Sequence, residues 1–287
     1  MKLDAELAQR LIAEQFPQWS KRSIKAVEKS GWDNRTFRLG NDMTIRLPSR
    51  EEYAPQILKE YQWLPKLSQT ITTCAITTPL ELGMPCHYYP WHWTINRWID
   101  GETASVDSIY DLNQFAVTLG RFLNEFQNID SNGGPIAGAH NFYRGGELIA
   151  YDAEIRQAIP KINNEAEQKI AEQLWDNALA SQWEQAPVWV HGDIAVGNIL
   201  VYDGQLRAII DFGQLAIGDP ACDLAIAWNF FTGESRELFR KAIPLDKNTW
   251  IRALAWTFWK TLCWPVPGTN VNQVLHDVYS DYQKLYC

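Results

Sequence analysis

The sequence predicts an α+β protein with two lobes: a small lobe with an antiparallel sheet over residues 1–100 and a larger, mainly helical lobe over residues 101–287. Short strand-like runs concentrate in the first hundred residues. From about residue 108 the apolar residues recur instead at helical spacing. Gly101 interrupts the last strand-like run before this change and marks the boundary between the lobes.

The first elements of the small lobe are a helix and a hairpin. Leu3, Leu7 and Leu11 recur at helical spacing and predict an amphipathic helix that stops near Pro17. The runs TFRLG and MTIRLP predict two strands, because the Gly-Asn-Asp between them at 40–42 is a hairpin signal.

A helix and a further strand follow, and then the helices of the large lobe. The stretch APQILKEYQWLPKL predicts a helix with Ile57, Tyr61 and Leu64 on one face, and WTINRWID alternates like a strand. The stretches GELIAYDAEIRQAI and NEAEQKIAEQLWDNAL predict two helices of the large lobe. The strongest helical stripe precedes them and consists of Phe115, Leu119, Phe122, Leu123 and Phe126.

Composition limits the classes of function. The chain has 287 residues, 46% apolar and 21% charged, which is typical of a globular protein. A net charge of −8 argues against DNA or RNA as the main partner, because phosphate backbones bind basic patches. The 14 tryptophans suit a core and also a pocket for a bulky organic ligand. The acidic N-terminal stretch is untypical of a signal peptide and no apolar run is long enough to span a bilayer, so we expect a cytoplasmic protein without a membrane partner.

A second hairpin carries polar residues at the ends of apolar strands. Asp203-Gly204, the dipeptide that a type I′ turn prefers, separates NILVY from LRAII. Folding the chain about that turn brings Asp211 beside the residues that precede Asn198, and the loop with Asp193 enters at the same end. Two carboxylates and an amide oxygen are hard donors suited to Mg²⁺. The alternative is that these residues only cap the ends of the strands.

The residues from 191 to 213, HGDIAVGNILVYDGQLRAIIDFG, have the order H-x-D-x-x-x-x-N and D-F-G of eukaryotic-type kinases. With the Gly of H-G-D and the later GDPACDLA, the chain resembles the aminoglycoside phosphotransferase family of small-molecule kinases. SGWDNRTFRLG, TIRLP, KEYQWLPKL and NRWIDGE are similar to the family's nucleotide loop, third strand, first-lobe helix and hinge. The resemblance implies a protein-kinase-like bilobal fold, with nucleotide bound by residues 1–100 and catalysis and acceptor binding in residues 101–287.

The resemblance also implies roles for the residues of the hairpin. Asp193 is expected to orient the acceptor hydroxyl or accept its proton, while Asn198 and Asp211 hold Mg²⁺ against the phosphates of ATP or GTP. His191 is expected to be a structural residue of the loop. Asp223 is expected to brace the catalytic loop, to cap the helix that follows it, or to do both.

Two departures from the kinase pattern concern the nucleotide. Arg46 stands where kinases usually have a Lys, and its expected partner is Glu60, with a surface ion pair as the alternative. The phosphate loop lacks G-x-G-x-x-G and offers Ser30, Gly31 and Asn34 instead. At the hinge, the backbone of Arg97, Trp98 and Ile99 is expected to face the base, and the Trp98 side chain could belong to the core.

The acceptor is expected to be a bulky hydroxylated small molecule, an aminoglycoside or a macrolide, which would make the chain an antibiotic-resistance enzyme. Rings would stack on a sugar or a lactone, and carboxylates would attract an amino group, although core packing is the alternative for each ring. Other possible activities are a metabolic kinase for choline, homoserine or fructosamine, a nucleotide-binding module without turnover, and a metal-dependent phosphoesterase. The residues expected to line the acceptor site are Asp152, Glu154, Trp228, Trp256 and Trp259.

Overall fold

The computed structural model describes residues 2–27, 31, 33–265 and 268–286 of the chain. These residues form two compact units. The first unit comprises Met1–Glu102 and Arg207–Gly213, and the second comprises Thr103–Leu206 and Gln214–Cys287. Residues 207–213 therefore belong to the first unit although they lie more than a hundred positions further along the chain. Mixed helices and strands confirm the α+β class.

The sheet of the first unit has five strands in the order β1-β2-β3-β6-β5, and its pairs are antiparallel. The predicted hairpin joins β2 to β3, and Gly40 has a φ of 63°, which the turn requires. A sixth strand, β4, pairs in parallel with residues 208–209. The strands of this unit are β1 Ile24–Ala26, β2 Asn34–Leu39, β3 Met43–Pro48, β4 Ala75–Ile76, β5 Pro79–Gly83 and β6 Trp93–Arg97.

Helices α1 (Ala5–Gln15) and α2 (Ala54–Leu67) complete the first unit. Asp4 caps α1 by accepting the N–H of Leu7 at 3.0 Å, and the helix packs its apolar face into the core that the sheet covers. The buried face of α2 includes Ile57, as predicted, but Tyr61 is exposed and Glu60 takes a place in the interior instead. The spacing of apolar residues alone does not predict that Glu60 is buried, because this burial depends on an ionic partner from another element.

The second unit is mainly helical, as predicted. All five residues of the predicted stripe are buried on α3, and Gly120 lets this helix approach α7 closely, because a Cβ there would lie 2.7 Å from that of Ala242. Helix α8 is buried along most of its length and packs on α5, α9 and the turn at 220–225. The helices are α3 Leu112–Gln127, α4 Asp152–Ala158, α5 Glu165–Leu179, α6 Ile226–Asn229, α7 Gly233–Lys241, α8 Lys247–Cys263 and α9 Val271–Tyr286.

Short strands lead into and out of the loops of the second unit. Asp203 and Gly204 have φ values of 49° and 69°, the positive values that the predicted type I′ turn needs. β8 and β11 pair antiparallel, with Val190 opposite Ala216. Among the residues that the structure describes, no helix has the length and apolar character needed to cross a bilayer. The remaining strands are β7 Glu102–Thr103, β8 Val188–Val190, β9 Ile199–Tyr202, β10 Gln205–Ile209 and β11 Ala216–Gly218.

Candidate active site

A buried charge cluster lies in the first unit. Nη1 of Arg46 on β3 donates to Oε2 of Glu60 on α2 at 2.6 Å, and Nη2 donates to Oδ1 of Asp211 at 2.6 Å. The predicted pairing of Arg46 with Glu60 is therefore present, and it is not a surface pair, because Glu60 is fully buried. Burial opposes the charge of Arg46, but the two carboxylates outweigh it and raise the arginine's pKa above its usual value.

The backbone around Asp211 is strained and closely packed. Asp211 has a φ of 63°, in the left-handed region that few residues other than Gly adopt, and the following Phe212 is fully buried. A Cβ at Gly213 would lie 2.5 Å from Oε1 of Gln56 on α2, so a larger residue there would displace the end of the Gln56 side chain. Gln56 also donates to Oδ2 of Asp33 at 3.1 Å. Asp33 and Gln56 are thus neighbours of the predicted phosphate loop that the sequence pattern does not reveal.

The structure describes only part of the predicted phosphate loop. Ser30 lies outside the described residues. Gly31 is exposed, and a Cβ there would lie 3.8 Å from Oδ2 of Asp211, so the loop backbone lies near this carboxylate. Asn34 is buried at the start of β2, opposite Pro48. Nucleotide binding by these residues stays a prediction.

The predicted hinge lies at the end of β6. Arg97 is the last residue of that strand, and the N–H of Trp98 donates to the carbonyl of Asp42 at 2.8 Å. The Trp98 side chain is partly exposed and lies under the Arg38 guanidinium, 3.6 Å from the ring centre. The sequence left open whether this side chain belongs to the core. It does not, because a cation covers the ring at the point where the chain leaves β6.

The loop that carries Asp193 is held by a buried carboxylate of the second unit. Oδ2 of Asp223 accepts the N–H of His191 at 2.7 Å, and Oδ1 accepts the N–H of Gly192 at 2.8 Å. His191 is fully buried, and its Nδ1 accepts the N–H of Asp193 at 3.1 Å. Gly192 has a φ of 83°, and a Cβ there would lie 2.7 Å from the backbone oxygen of Gln214. These contacts fix the course of the H-G-D segment.

The predicted bracing contact of Asp223 is therefore present, whereas the capping alternative is not. The short α6 begins only at Ile226, and the turn at 220–225 is capped by Asp219, which accepts the N–H of Ala221 at 3.0 Å. Asp219 also accepts from Nε of Arg252 at 2.6 Å. Asp219 takes the cap because Pro220 occupies the first helical position, and the cap is the residue immediately before it.

The carboxylate of Asp193 has a donor at each oxygen. Nζ of Lys260 on α8 donates to Oδ1 at 3.0 Å, and Nδ2 of Asn198 donates to Oδ2 at 3.2 Å and to the backbone oxygen of Asp193 at 2.9 Å. Burial opposes ionisation, but the charges of Lys260 and Arg144 outweigh it and lower the pKa of Asp193 to about 2. The group is therefore an oriented carboxylate at neutral pH.

Asn198 and Asp211 each offer an oxygen donor that suits a hard divalent cation. The amide nitrogen of Asn198 is engaged with Asp193, so its oxygen is the atom left to face a cation. Asp211 is about one-third exposed and presents a carboxylate of which Arg46 engages Oδ1. Oxygen donors of this kind suit Mg²⁺ better than softer metals. Joint binding of one ion by Asn198 and Asp211 stays a prediction, because the two residues belong to different units.

The two carboxylates predicted to meet an acceptor already bind indole rings. Asp152 accepts from Nε1 of Trp175 at 2.8 Å. Glu154 accepts from Nε1 of Trp259 at 2.7 Å and from Nε1 of Trp264 at 3.0 Å. Each carboxylate thus orients tryptophans within the second unit, and attraction of an acceptor's amino group stays a prediction.

The three tryptophans predicted to stack on an acceptor are buried. Trp228 donates from Nε1 to Oδ2 of Asp281 at 2.9 Å, and Trp256 and Trp259 on α8 meet edge to face. The Arg144 guanidinium lies 4.4 Å from the ring centre of Trp259. Their burial agrees with the alternative that the sequence left open, namely that each ring packs in the core. A stacking role for them stays a prediction.

The sequence pattern misses Lys260 and Arg144, the two cations beside Asp193. Lys260 lies 67 positions after Asp193, so no local spacing connects them. One signal was available, since Lys260 follows Trp256 by one helical turn and therefore shares its face of α8. An oriented carboxylate beside a cation, together with a guanidinium–carboxylate cluster, is chemistry suited to phosphoryl transfer, which needs positioning and charge stabilisation.

Comparisons with known proteins point the same way. A model of the phosphotransferase enzyme family matches residues 23–255. An aminoglycoside 3′-phosphotransferase from Escherichia coli is 36% identical over 73 residues, which is 25% of this chain and only 27% of that protein.

The fold also matches solved structures. The complex of aminoglycoside phosphotransferase APH(2″)-IIIa with GDP and kanamycin has a TM-score of 0.73 at 18% identity, covering 98% of this chain and 97% of the other. The apoenzyme of a macrolide 2′-phosphotransferase from Brachybacterium faecium has a TM-score of 0.63 at 16% identity, covering 98% and 95%. At such low identity these matches show the fold, which is the protein-kinase-like bilobal fold predicted from the sequence.

Proposed function

The chain belongs to the phosphotransferase enzyme family, and we propose that it transfers the γ-phosphate of ATP or GTP to a hydroxyl of a small molecule. The observation that carries the proposal is the ionised carboxylate of Asp193, held by Lys260 and Asn198 on a loop that Asp223 braces. A fixed carboxylate can direct a hydroxyl along the line of attack, which is the protein's main task in this reaction.

Asp193 orients the acceptor hydroxyl and takes its proton as the hydroxyl oxygen bonds to the γ-phosphorus, while the bond from that phosphorus to the β–γ bridging oxygen breaks and the nucleoside diphosphate leaves. A carboxylate with a pKa of about 2 is a weak base, so orientation is its larger contribution and the proton moves late. Asn198 fixes the rotation of the Asp193 side chain through its amide nitrogen and turns its amide oxygen toward the proposed cation. His191 supports the loop, since it is fully buried and its Nδ1 accepts the backbone N–H of Asp193.

Asn198 and Asp211 are the proposed ligands of Mg²⁺. When bound, the ion neutralises charge on the nucleotide phosphates. Asp211 contributes a negative charge that its left-handed backbone and its contact with Arg46 hold in place.

The nucleotide is proposed to bind residues 1–100. The backbone N–H groups near Ser30 and Gly31 would cradle phosphate oxygens, with Asn34 fixing the start of β2 behind them. The backbone of Arg97, Trp98 and Ile99 would face the base. GDP in the site of the structural relative APH(2″)-IIIa supports GTP as well as ATP as the donor.

The acceptor is proposed to bind residues 101–287 and to be an antibiotic-like hydroxylated compound, an aminoglycoside or a macrolide. The structural relatives named above support both classes, since one binds kanamycin and the other is a macrolide phosphotransferase. Within this chain, the carboxylates Asp152 and Glu154 and the rings of Trp228, Trp256 and Trp259 remain the proposed acceptor group.

Steady-state kinetics on a panel of acceptors tests the proposal. We expect Mg²⁺-dependent phosphorylation of at least one aminoglycoside or macrolide, with a kcat/KM above the values for choline, homoserine and a fructosamine. The Asp193→Asn variant is the matched control, because it keeps the shape of the side chain and removes its charge.

Three results would change the assignment. A kcat/KM for choline, homoserine or fructosamine far above that of every antibiotic would replace the antibiotic proposal by a metabolic kinase. Nucleotide binding without transfer to any acceptor would indicate a binding module. Turnover that is the same in the Asp193→Asn variant would remove this residue from the mechanism.

Arg46 and Glu60 are proposed to support the nucleotide phosphates, and substitution of Arg46 tests this. We expect Arg46→Lys to retain more affinity for ATP than Arg46→Ala, because Lys keeps the charge and loses only the planar fork. Arg46→Ala also leaves Glu60 buried without its partner, which typically costs about 3–5 kcal/mol of folding stability.

Calorimetric titration with Mg·ATP, with melting temperatures measured alongside, separates these two effects. The Glu60→Gln variant shows what loss of the buried charge does by itself. Equal affinities for Mg·ATP in folded Lys and Ala variants would show that Arg46 does not act on the nucleotide.

A further inference from the structure

Lys260 lies at a position in the second unit that no kinase motif of this chain accounts for. It is near the end of α8, its side chain is only 15% exposed, and its Nζ is 3.0 Å from Oδ1 of Asp193. The buried turns of α8 that precede it are rich in apolar residues, and their buried charged residue, Arg252, is paired with Asp219. An ammonium largely withdrawn from water is costly unless it is paired, and the Asp193 carboxylate is a partner of Lys260.

The two donors of the Asp193 carboxylate restrict its rotation in complementary ways. Lys260 engages Oδ1, and the Asn198 amide engages Oδ2. A rotation of the carboxylate about its χ2 angle would break both contacts together. Removal of Lys260 leaves the carboxylate with one neutral side-chain hydrogen bond, from Asn198, so the carboxylate gains rotational freedom.

The ionisable side chains around Asp193 come from four segments. They are Lys260 on α8, Arg144 from the loop before α4, His191 from the same loop as Asp193, and the buried Asp223 behind it. Lys260 is the one of these that directly donates to the carboxylate. Arg144 lies against the Trp259 ring, which limits how far it can move to replace the ammonium.

We propose that Lys260 is a positioning residue for the phosphoryl transfer proposed above, acting on Asp193 by holding its carboxylate in one orientation. This role rests on the proposed function, because it concerns the hydroxyl that Asp193 directs. The cation that supports the catalytic carboxylate is thus supplied by a distant helix, while the catalytic loop itself has no Lys or Arg between 192 and 198.

The opposite role is also testable. If the ammonium occupied the place of an acceptor's amino group, it would block the site, and its removal would raise kcat/KM for amino sugars. A positioning role requires removal to lower kcat instead.

We expect Lys260→Met to lower kcat by about 10- to 100-fold, less than loss of the carboxylate itself, and to leave the KM for nucleotide nearly unchanged. Lys260→Arg should recover part of the loss, since it restores the charge. The matched control is Lys247→Met, because Lys247 lies on the same helix, is exposed and lies beside the Tyr286 ring rather than beside Asp193.

The split between kcat and KM gives a readout that a purely structural role would not move. A lost positioning contact lowers kcat at saturating substrates, whereas a general loss of structure raises KM and lowers the melting temperature.

A double-mutant cycle decides whether Lys260 acts through Asp193. In the Asp193→Asn background, Lys260→Met should have almost no further effect on kcat, because its target is already lost. Independent, multiplying losses would overturn the proposal. So would an unchanged kcat in a folded Lys260→Met variant, or an increase in kcat/KM for amino sugars.

If the proposed transferase function is wrong, the experiments give a different result. A wild-type protein that binds nucleotide but phosphorylates no acceptor would reject the transferase assignment and the role of Lys260 together. A wild-type protein that does turn over, with a Lys260→Met variant equal to it, would reject only the role of Lys260.

Discussion

We expect Asp193→Ala to slow phosphoryl transfer by roughly 10²- to 10⁴-fold, the range typical for removal of a positioned general base. The fold should survive, because the loop around this residue is held by the backbone contacts of His191 and Gly192 with Asp223, none of which uses the Asp193 side chain. Affinity for nucleotide should change little, since the residues proposed to bind it lie elsewhere in the chain.

Single-turnover kinetics at saturating nucleotide measures this loss directly. Lys260 loses its partner in the Ala variant, so the Asp193→Asn variant serves as a second measurement that keeps an oxygen near the ammonium. Both variants should be slow. Wild-type rates in either one would mean that another group directs the acceptor hydroxyl.

Asp211→Asn should weaken binding of Mg·nucleotide by about 10- to 100-fold, because it removes a ligand charge from the proposed cation site. The substitution suits the backbone, since Asn tolerates the left-handed φ of 63° better than most residues. Its amide oxygen can still accept from Arg46, so the structural contact is retained while the charge is lost.

Calorimetry with Mg·ATP and with ATP in excess EDTA tests this assignment. The variant should differ from wild type strongly in the presence of Mg²⁺ and much less in its absence. The Glu60→Gln variant is the control, because it removes the other carboxylate that contacts Arg46. A dissociation constant for Mg·ATP equal to that of the wild type would exclude Asp211 as a ligand.

Much of the fold follows from local sequence patterns. The stripe of α3 and the turn at Asp203-Gly204 are set by residues that neighbour each other in the chain, and both predictions are confirmed. Tyr61 is the instructive exception on α2, because helical spacing places it with Ile57 although it is exposed. The spacing of apolar residues along a helix does not show which side of the helix will contact an ionic partner from another element.

The residues of the candidate site that lie in a motif could be predicted from the sequence. The H-G-D and D-F-G motifs single out Asp193 and Asp211, and the contact of Arg46 with Glu60 is confirmed. The contact of Lys260 with Asp193 could not be predicted from motifs, because the two residues are distant in the sequence and the helix of Lys260 has the composition of a packed core. Contacts of this kind depend on how helices pack, which no local pattern encodes.

The return of residues 207–213 to the first unit has a consequence for how the protein is made. Asp211 supplies one of the two carboxylates of Arg46, and residues 208–209 supply the partner of β4. A ribosome must therefore finish more than two hundred residues before the first unit can be complete, although most of that unit has already emerged. A fragment that stops at residue 102 would expose an unpaired strand edge and an arginine that lacks one of its counter-charges, both of which favour aggregation or chaperone capture over independent folding.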